Sequence, residues 1–211
     1  NLILMLQYIT NTQCPRPIPE QVKAVLEGGC RWIQLRMKEA RQEEVAEMAR
    51  IIKPLTDEKE AFLIINDYVD VCRDVNCTGV HLGKSDMPPS KARLELGPLA
   101  VIGVTANTFA DIEAVRSLDI DYIGIGPFRN TATKANLAPI LGQDGVARIC
   151  DQMQAAEINI ACVAVGGIRT EDVQPLLEAG CNGLAISGAI AFADDMTQAT
   201  RNFIAMLPAG V

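Results

Sequence analysis

Eight short apolar runs recur along the 211 residues, and segments with helical patterning separate them. Most of these runs are continuously hydrophobic rather than alternating, which is typical of parallel strands that helices cover. The runs are Leu4 to Ile9, Trp32 to Met37, Phe62 to Ile65, Gly79 to Leu82, Val101 to Val104, Tyr122 to Ile125, Ala161 to Val165 and Gly183 to Ile186. Repeats of about 25 residues, in a chain near the roughly 200-residue lower limit of the fold, predict an α/β protein, a (β/α)8 TIM barrel. We expect a single domain over residues 1–211, with a doubly wound open sheet as the alternative.

Three residues predict where helices begin and end. Thr108 is placed to cap a helix that runs to Leu118. Thr170 is placed to cap the next helix, with Asp172 complementing its positive end, and Gly180 is expected to end it.

Polar residues at the ends of the runs distinguish the barrel from the open sheet. They follow seven consecutive runs, from the second to the eighth. In a closed barrel these residues converge at one end, whereas an open sheet would spread them along its edge. The residues are Gln34, Arg36, Lys38, Asn66, Asp67, Asp86, Thr105, Thr131, Thr133, Lys134, Gly166, Gly167, Ser187 and Gly188.

Cations and an amide share one face of the second run. In an extended strand Gln34, Arg36 and Lys38 point to one side, and Met37 points to the other. Buried unpaired charges are costly, so this face is expected to meet water or anions. The residues therefore predict a polyanionic small ligand.

Two carboxylates, Asp67 and Asp86, follow the third and fourth runs. Magnesium is typically held by one or two carboxylates together with substrate phosphates, so this pair beside the cations predicts Mg²⁺ and a diphosphate. Helix capping is the alternative role for both residues.

A second anion site is expected where the last two runs end, at Gly166 and Gly167 and at Ser187 and Gly188. Barrels often bind phosphate at these positions through backbone N–H groups, although tight turns alone could also explain the glycines. Two anion sites imply two phosphorylated substrates.

Other features favour structural roles or exclude classes of partner. His81 is flanked by apolar residues, which favours a hydrogen-bonded core imidazole, and the seven scattered cysteines are expected to be reduced core thiols.

The net charge of -7 argues against nucleic acid as a partner. The apolar stretches fall short of the roughly 20 residues that cross a membrane. Asn1 to Ile9 lacks the basic region of a signal peptide, so a cytoplasmic location is expected, and assembly into a homo-oligomer is left open.

Eight motifs, in this order, resemble those of the thiamine-phosphate synthase family, whose members are (β/α)8 enzymes. They are WIQLRMK at 32–38, INDYVDV at 65–71, GVHLGKSDMP at 79–88, IGVT at 102–105, DYIGIGP at 121–127, TATK at 131–134, VGGI at 165–168 and ISGAI at 186–190. The resemblance implies a transferase that joins hydroxymethylpyrimidine diphosphate to a thiazole phosphate, with release of thiamine monophosphate and pyrophosphate.

The resemblance also implies roles for individual residues. It implies that Arg36, Lys38 and Lys134 are catalytic and that Asp67 and Asp86 hold magnesium. It assigns the pyrimidine diphosphate to Gln34, Arg36, Lys38, Asn66, Thr105 and Lys134, and the thiazole phosphate to Thr131, Thr133, Gly166, Gly167, Ile186 and Ser187.

The chain departs from the family pattern at five positions, Met37, Lys84, Thr105, Asn107 and Asn130. Met37 replaces a usual Glu on the face that points away from the ligand, and Thr105 keeps the hydroxyl of the usual Ser. Two alternatives remain: a thiazole tautomerase of the same fold, and a non-catalytic regulator that binds phosphorylated metabolites.

Overall fold

The computed structural model describes residues 5–130 and 138–208, and in these ranges the chain forms a closed barrel of eight parallel strands. Each strand pairs with its neighbours in the sequence, and β1 pairs with β8 to close the barrel. The strands are β1 (Leu6–Ile9), β2 (Trp32–Leu35), β3 (Phe62–Asn66), β4 (Gly79–Leu82), β5 (Val101–Ala106), β6 (Tyr122–Ile125), β7 (Ala161–Val165) and β8 (Gly183–Ile186). The predicted barrel is confirmed, and the open sheet is wrong.

Helices connect successive strands, and two further helices follow β8. They are α1 (Ile18–Glu27), α2 (Gln42–Glu58), α3 (Val69–Val75), α4 (Pro89–Leu96), α5 (Phe109–Val115), α6 (Gly142–Ala155), α7 (Val173–Glu178), α8 (Gly188–Ala191) and α9 (Met196–Ala205). A 3-10 turn, Thr170–Asp172, precedes α7. In the described ranges, none of these helices combines the length and the apolar character that crossing a bilayer requires.

Apolar side chains pack in two separate clusters. The larger cluster lies between the strands and the helices, as expected for strands covered on their outer side. The smaller one fills the inside of the barrel with six buried residues, Ile9, Trp32, Ile64, Tyr122, Val163 and Ala185. Trp32 and Tyr122 meet edge to face there, with ring centroids 4.8 Å apart. Apolar side chains thus fill part of the barrel interior, next to the polar residues at the carboxyl ends of the strands.

Helix boundaries differ from the prediction at two places. Thr108 caps α5 as expected and accepts from the backbone N–H of Asp111, but the helix ends at Val115 because residues 116–120 turn back toward β6. Before α7 the start of the 3-10 turn is stabilised by Asp172 rather than Thr170, because the Asp172 carboxylate accepts from the backbone N–H of Arg169, the residue that precedes the turn. That carboxylate is a stronger acceptor than a hydroxyl.

Gly180 follows α7 with a φ of 103°, a left-handed conformation that glycine adopts without strain. Its backbone N–H donates to the carbonyl of Leu177. The predicted end of this helix is therefore confirmed.

Candidate active site

A cavity of about 570 Å³ opens at the carboxyl ends of the strands. It is lined by nine of the residues that the sequence placed there, namely Gln34, Arg36, Lys38, Asn66, Thr105, Gly166, Gly167, Ser187 and Gly188. Met37 is not among the lining residues and packs against the outer core, as strand parity predicts. Polar groups from β2, β3, β5, β7 and β8 thus meet in one space.

Arg36 follows β2 immediately and is half-buried in the cavity wall. Its backbone is fixed by Thr10, whose hydroxyl accepts from the Arg36 N–H at 2.9 Å and donates to the Arg36 carbonyl at 3.1 Å. Burial lowers the pKa of Arg36, although Asp67 and Glu39 oppose the shift, and a guanidinium remains charged in proteins. Within the described ranges no carboxylate lies within ion-pair distance of this guanidinium. A half-buried cation of this kind is suited to an anionic ligand.

Asp67 and Asp86 are neighbours whose charges influence each other. Burial raises the pKa of Asp67, the neighbouring Asp86 raises it further, and Lys38 opposes both effects. The Lys38 ammonium lies 3.4 Å from an Asp67 carboxylate oxygen. Two neighbouring carboxylates repel each other. A hard divalent cation bound by their oxygens would relieve this repulsion, so the pair is a suitable ligand set for such an ion.

The helix-capping alternative for these two acids is wrong. The residues before α3 and α4 are Tyr68 and Pro88, and neither helix start receives a side-chain cap. Asp86 instead accepts from the backbone N–H of Gly83 at 2.6 Å and so holds the turn after β4. Asp67 has a φ of 69°, a left-handed conformation that is uncommon for a residue with a side chain.

Gly166 and Gly167 form a turn directly after β7, with φ values of 107° and 66°. A Cβ on Gly166 would lie 3.0 Å from the Phe128 nitrogen and from the Pro127 Cα, closer than ordinary van der Waals contact, so the turn packs tightly against the loop after β6. After β8, the Ser187 hydroxyl accepts from the side-chain amide of Asn11 at 3.1 Å. Ile186 is buried inside β8 and does not line the cavity, so only its backbone is placed to contribute.

Three predicted site residues lie outside the described residues: Thr131, Thr133 and Lys134. The flanking chain is well placed for the site, because Arg129 and Asn130 both line the cavity. On the other side of these residues, the backbone N–H groups of Leu141 and Gly142 donate to the carbonyls of Pro127 and Phe128. The roles of these three residues stay predictions.

Comparison with known proteins places this barrel in one family. The family model described as thiamine monophosphate synthase matches residues 6–190. A thiamine-phosphate synthase of Bacteroides fragilis is 48% identical over 202 residues, which cover 96% of this chain and 99% of that protein. The chain belongs to the thiamine monophosphate synthase family. The predicted family and the predicted class, a transferase, are therefore confirmed.

A more distant relative and a solved structure agree with this family assignment. A thiamine-phosphate synthase of Moorella thermoacetica is 33% identical over 88% of this chain and 86% of its own length. The structure of thiamine phosphate pyrophosphorylase from Pyrococcus furiosus superposes with a TM-score of 0.85 at 31% identity, covering 97% of this chain and 95% of that one. Family membership implies two phosphorylated small-molecule substrates.

In this member of the thiamine monophosphate synthase family, a hydrogen-bonded chain of five side chains crosses the barrel, and all five line the cavity. Gln34 donates its amide N–H to Gln7 at 2.9 Å, and Gln7 donates to the Tyr122 hydroxyl at 3.2 Å. That hydroxyl lies 2.9 Å from His81 Nδ1, and His81 Nε2 lies 2.9 Å from the Thr105 hydroxyl. The chain therefore joins Gln34 to Thr105, two of the predicted substrate-binding residues.

The direction of this chain is compatible with one histidine tautomer. Because Tyr122 accepts from Gln7, its own hydrogen is available to His81 Nδ1, and a His81 that carries its hydrogen on Nε2 would complete the chain by donating to Thr105. Burial raises the pKa of Tyr122, which keeps the phenol protonated at neutral pH. His81 is hydrogen-bonded as predicted, yet it lines the cavity and is only half-buried.

We expect Tyr122→Phe to lower the free energy of unfolding by about 1–3 kcal/mol, because it leaves buried donors and acceptors without partners. Urea unfolding followed by fluorescence measures the change. Tyr68→Phe, on the outer side of the barrel and half-buried, is the matched control. Equal midpoints for the two variants would contradict the role of the phenol in the network.

Several cavity residues were not found from the sequence. β1 supplies Gln7, the residues directly after it supply Thr10 and Asn11, and the loop after β6 supplies Arg129. Polar residues directly after the first apolar run were the available signal for Thr10 and Asn11. Gln7 could have been recognised as a lone amide within an apolar strand.

Three of the seven cysteines meet outside the cavity. Cys150, Cys162 and Cys181 are buried, and their sulfur atoms lie within 4.8 Å of one another. All seven cysteines are free. Because the three thiols are buried in the outer core, three ionised thiolates there would be costly, and we assign them to packing.

Proposed function

We propose that this chain joins 4-amino-2-methyl-5-hydroxymethylpyrimidine diphosphate to 4-methyl-5-hydroxyethylthiazole phosphate, or to its carboxylated form. The products are thiamine monophosphate and pyrophosphate, and CO2 is also released when the carboxylated thiazole is used. The observation that carries the proposal is the half-buried Arg36 in the wall of a cavity that a double-glycine turn borders on another side, since none of the described carboxylates forms an ion pair with it. Lys38, which also lines the cavity, connects it to Asp67 and the neighbouring Asp86. This arrangement provides separate places for a diphosphate and for a monophosphate.

The pyrimidine diphosphate is assigned to the β2 and β3 side of the cavity. Arg36 and Lys38 face the diphosphate, while Gln34, Asn66 and Thr105 face the pyrimidine. The hydrogen-bonded chain supports this assignment, because it presents Gln34 and Thr105 in fixed orientations from two sides of the barrel.

Magnesium is assigned to Asp67 and Asp86, next to the diphosphate. The raised pKa of Asp67 supports a cation there, since a divalent ion would relieve the repulsion between the two carboxylates. Magnesium bound at this position would neutralise negative charge on the diphosphate.

The thiazole phosphate is assigned to the β7 and β8 side. Its phosphate is held by backbone N–H groups near Gly166, Gly167, Ile186 and Ser187, with Thr131 and Thr133 as further ligands. Support comes from the position of the glycine turn and of Ser187 at the carboxyl ends of adjacent strands.

Substitution proceeds dissociatively. The bond between the pyrimidine methylene carbon and the diphosphate oxygen breaks, both electrons leave with pyrophosphate, and the aminopyrimidine stabilises the carbon cation. Arg36, Lys38 and Lys134 neutralise the charge that grows on the leaving oxygen. The thiazole nitrogen then forms the new C–N bond, and because both partners are held by their phosphates, positioning replaces activation of the nucleophile.

An omission assay tests this function and separates it from the two alternatives. Purified protein with magnesium and both substrates is expected to form thiamine monophosphate, and omission of either substrate is expected to abolish it. Isomerisation of the thiazole without any joined product would indicate the tautomerase. Binding of both compounds without turnover would indicate the regulator. The cytoplasmic location and the oligomeric state remain predictions.

A further inference from the structure

Arg129 makes a paired contact with Asp172 at the edge of the cavity. Its two terminal nitrogens lie 2.8 and 3.0 Å from the two carboxylate oxygens. One of these nitrogens also donates to the carbonyl oxygen of Gly167. A bidentate pair of this kind fixes the plane of the guanidinium as well as its position. Arg129 is thus held in one orientation against the glycine turn.

The backbone of Arg129 contacts the same turn. Its N–H donates to the carbonyl of Gly166 at 2.8 Å, so the carbonyls of both glycines point toward Arg129. In a trans peptide the carbonyl and the following N–H point in opposite directions. The N–H groups of Gly167 and Ile168 therefore point away from Arg129. The positive φ values of both glycines permit this geometry.

Asp172 balances the charge of Arg129. Its side chain is 11% exposed and also accepts from the backbone N–H of Arg169 at 2.8 Å. Burial opposes its ionisation, but the bonds from Arg129 and from the Arg169 N–H outweigh burial, and the pKa of Asp172 is lowered. At neutral pH the carboxylate is ionised. The Arg129 guanidinium therefore bonds Asp172 and the Gly167 carbonyl, and it is not the group that binds the ligand.

We propose that Arg129 is a positioning residue for the phosphate monoester of the second substrate. It turns the peptide groups of Gly166 and Gly167 so that the N–H groups of Gly167 and Ile168 donate to that phosphate, with Asp172 holding Arg129 in place. This inference rests on the proposed function, because it adds a residue to the thiazole phosphate side of the site.

Calorimetry with two ligands tests this role. The ligands are 4-methyl-5-hydroxyethylthiazole phosphate and the same alcohol without its phosphate. Arg129→Met is expected to weaken binding of the phosphate at least tenfold and to leave binding of the alcohol nearly unchanged. In turnover, KM for the thiazole phosphate should rise while KM for the pyrimidine diphosphate changes less than about twofold. Equal weakening of both thiazole ligands would overturn the proposal.

Arg169→Met is the matched control, because Arg169 is another cavity-lining arginine and its side chain pairs with the exposed Glu171 at 3.9 Å. A smaller effect of this variant on phosphate binding is expected. If it weakens phosphate binding as much as Arg129→Met does, the general positive charge of the cavity explains the result, and the proposal fails.

Arg129→Lys covers the case in which Arg129→Met does not fold. Lysine keeps the charge but cannot bond both Asp172 oxygens in a planar fork, so phosphate binding should still weaken. Unchanged binding would overturn the proposal. Failure of the wild-type protein to form thiamine monophosphate would instead refute the proposed function. Normal wild-type turnover with unaltered phosphate binding in the variants would refute this inference alone.

Discussion

Arg36→Ala is expected to lower the rate of coupling by about 10²–10³-fold, the range seen when one donor to a developing charge is removed. The guanidinium is half-buried in the cavity wall, and none of the described carboxylates pairs with it, so its charge is available to the departing pyrophosphate. Binding of the thiazole phosphate should change less than about twofold, because that ligand lies on the β7 and β8 side. Single-turnover kinetics with both substrates measures the first effect, and calorimetry measures the second.

The exposed Arg50 on α2 supplies the matched control. Arg50→Ala removes the same charge from the protein but leaves the cavity intact, and its coupling rate should equal that of the wild type. If Arg36→Ala reduced thiazole phosphate affinity as much as the coupling rate, its role in stabilising the leaving group would be wrong.

Asp67→Asn is expected to raise the magnesium concentration needed for half-maximal rate at least tenfold, which corresponds to about 1.4 kcal/mol of lost binding. The same change should raise the melting temperature of the metal-free protein at neutral pH. Burial and Asp86 raise the pKa of Asp67 in the folded protein, so its ionisation costs more there than in the unfolded chain. Ionisation of Asp67 therefore lowers the free energy of unfolding as the pH rises through the pKa that Asp67 has in the folded protein.

The stability gain expected for Asp67→Asn depends on pH, and this dependence can be tested. Below the ordinary aspartate pKa of about 3.9, Asp67 is protonated in both states, and the stability gain of Asp67→Asn should vanish. Asp151→Asn, at an exposed position of α6, is the control and should alter neither property. An unchanged magnesium titration in Asp67→Asn would remove this residue from the metal site.

Strand positions and side-chain parity could be predicted from the sequence because they depend on local pattern. Continuous apolar runs gave the eight strands, and the alternation of Gln34, Arg36 and Met37 gave the sides on which they lie. The polar residues at the strand ends then required a closed barrel in order to converge. These inferences use only neighbours along the chain and the general geometry of parallel sheets.

Contacts between residues far apart in the sequence could not be predicted from local pattern. The bond between Tyr122 and His81 joins residues 41 positions apart, and the bond between Asn11 and Ser187 spans 176 positions. Neither follows from local pattern, because each depends on how the barrel closes. His81 was accordingly expected in the core, although β4 directs it into the cavity.

The cap before α7 was missed for the same reason. Thr170 and Asp172 are both good capping residues in a sequence, and the choice depends on a third residue. Arg129 holds the Asp172 carboxylate from a separate loop, 43 positions away along the chain. That carboxylate thereby serves both the helix start and the glycine turn.

Cations and a magnesium site are proposed to gather at one end of the barrel, where they receive the departing pyrophosphate. A crystal structure of the wild-type protein with magnesium, pyrophosphate and thiamine monophosphate would locate all three. We expect pyrophosphate against Arg36 and Lys38, a metal ion bound by Asp67 and Asp86, and the thiamine phosphate group at the Gly166–Gly167 turn. Pyrophosphate bound away from Arg36, with no metal at the two carboxylates, would show that the proposed leaving-group site is wrong.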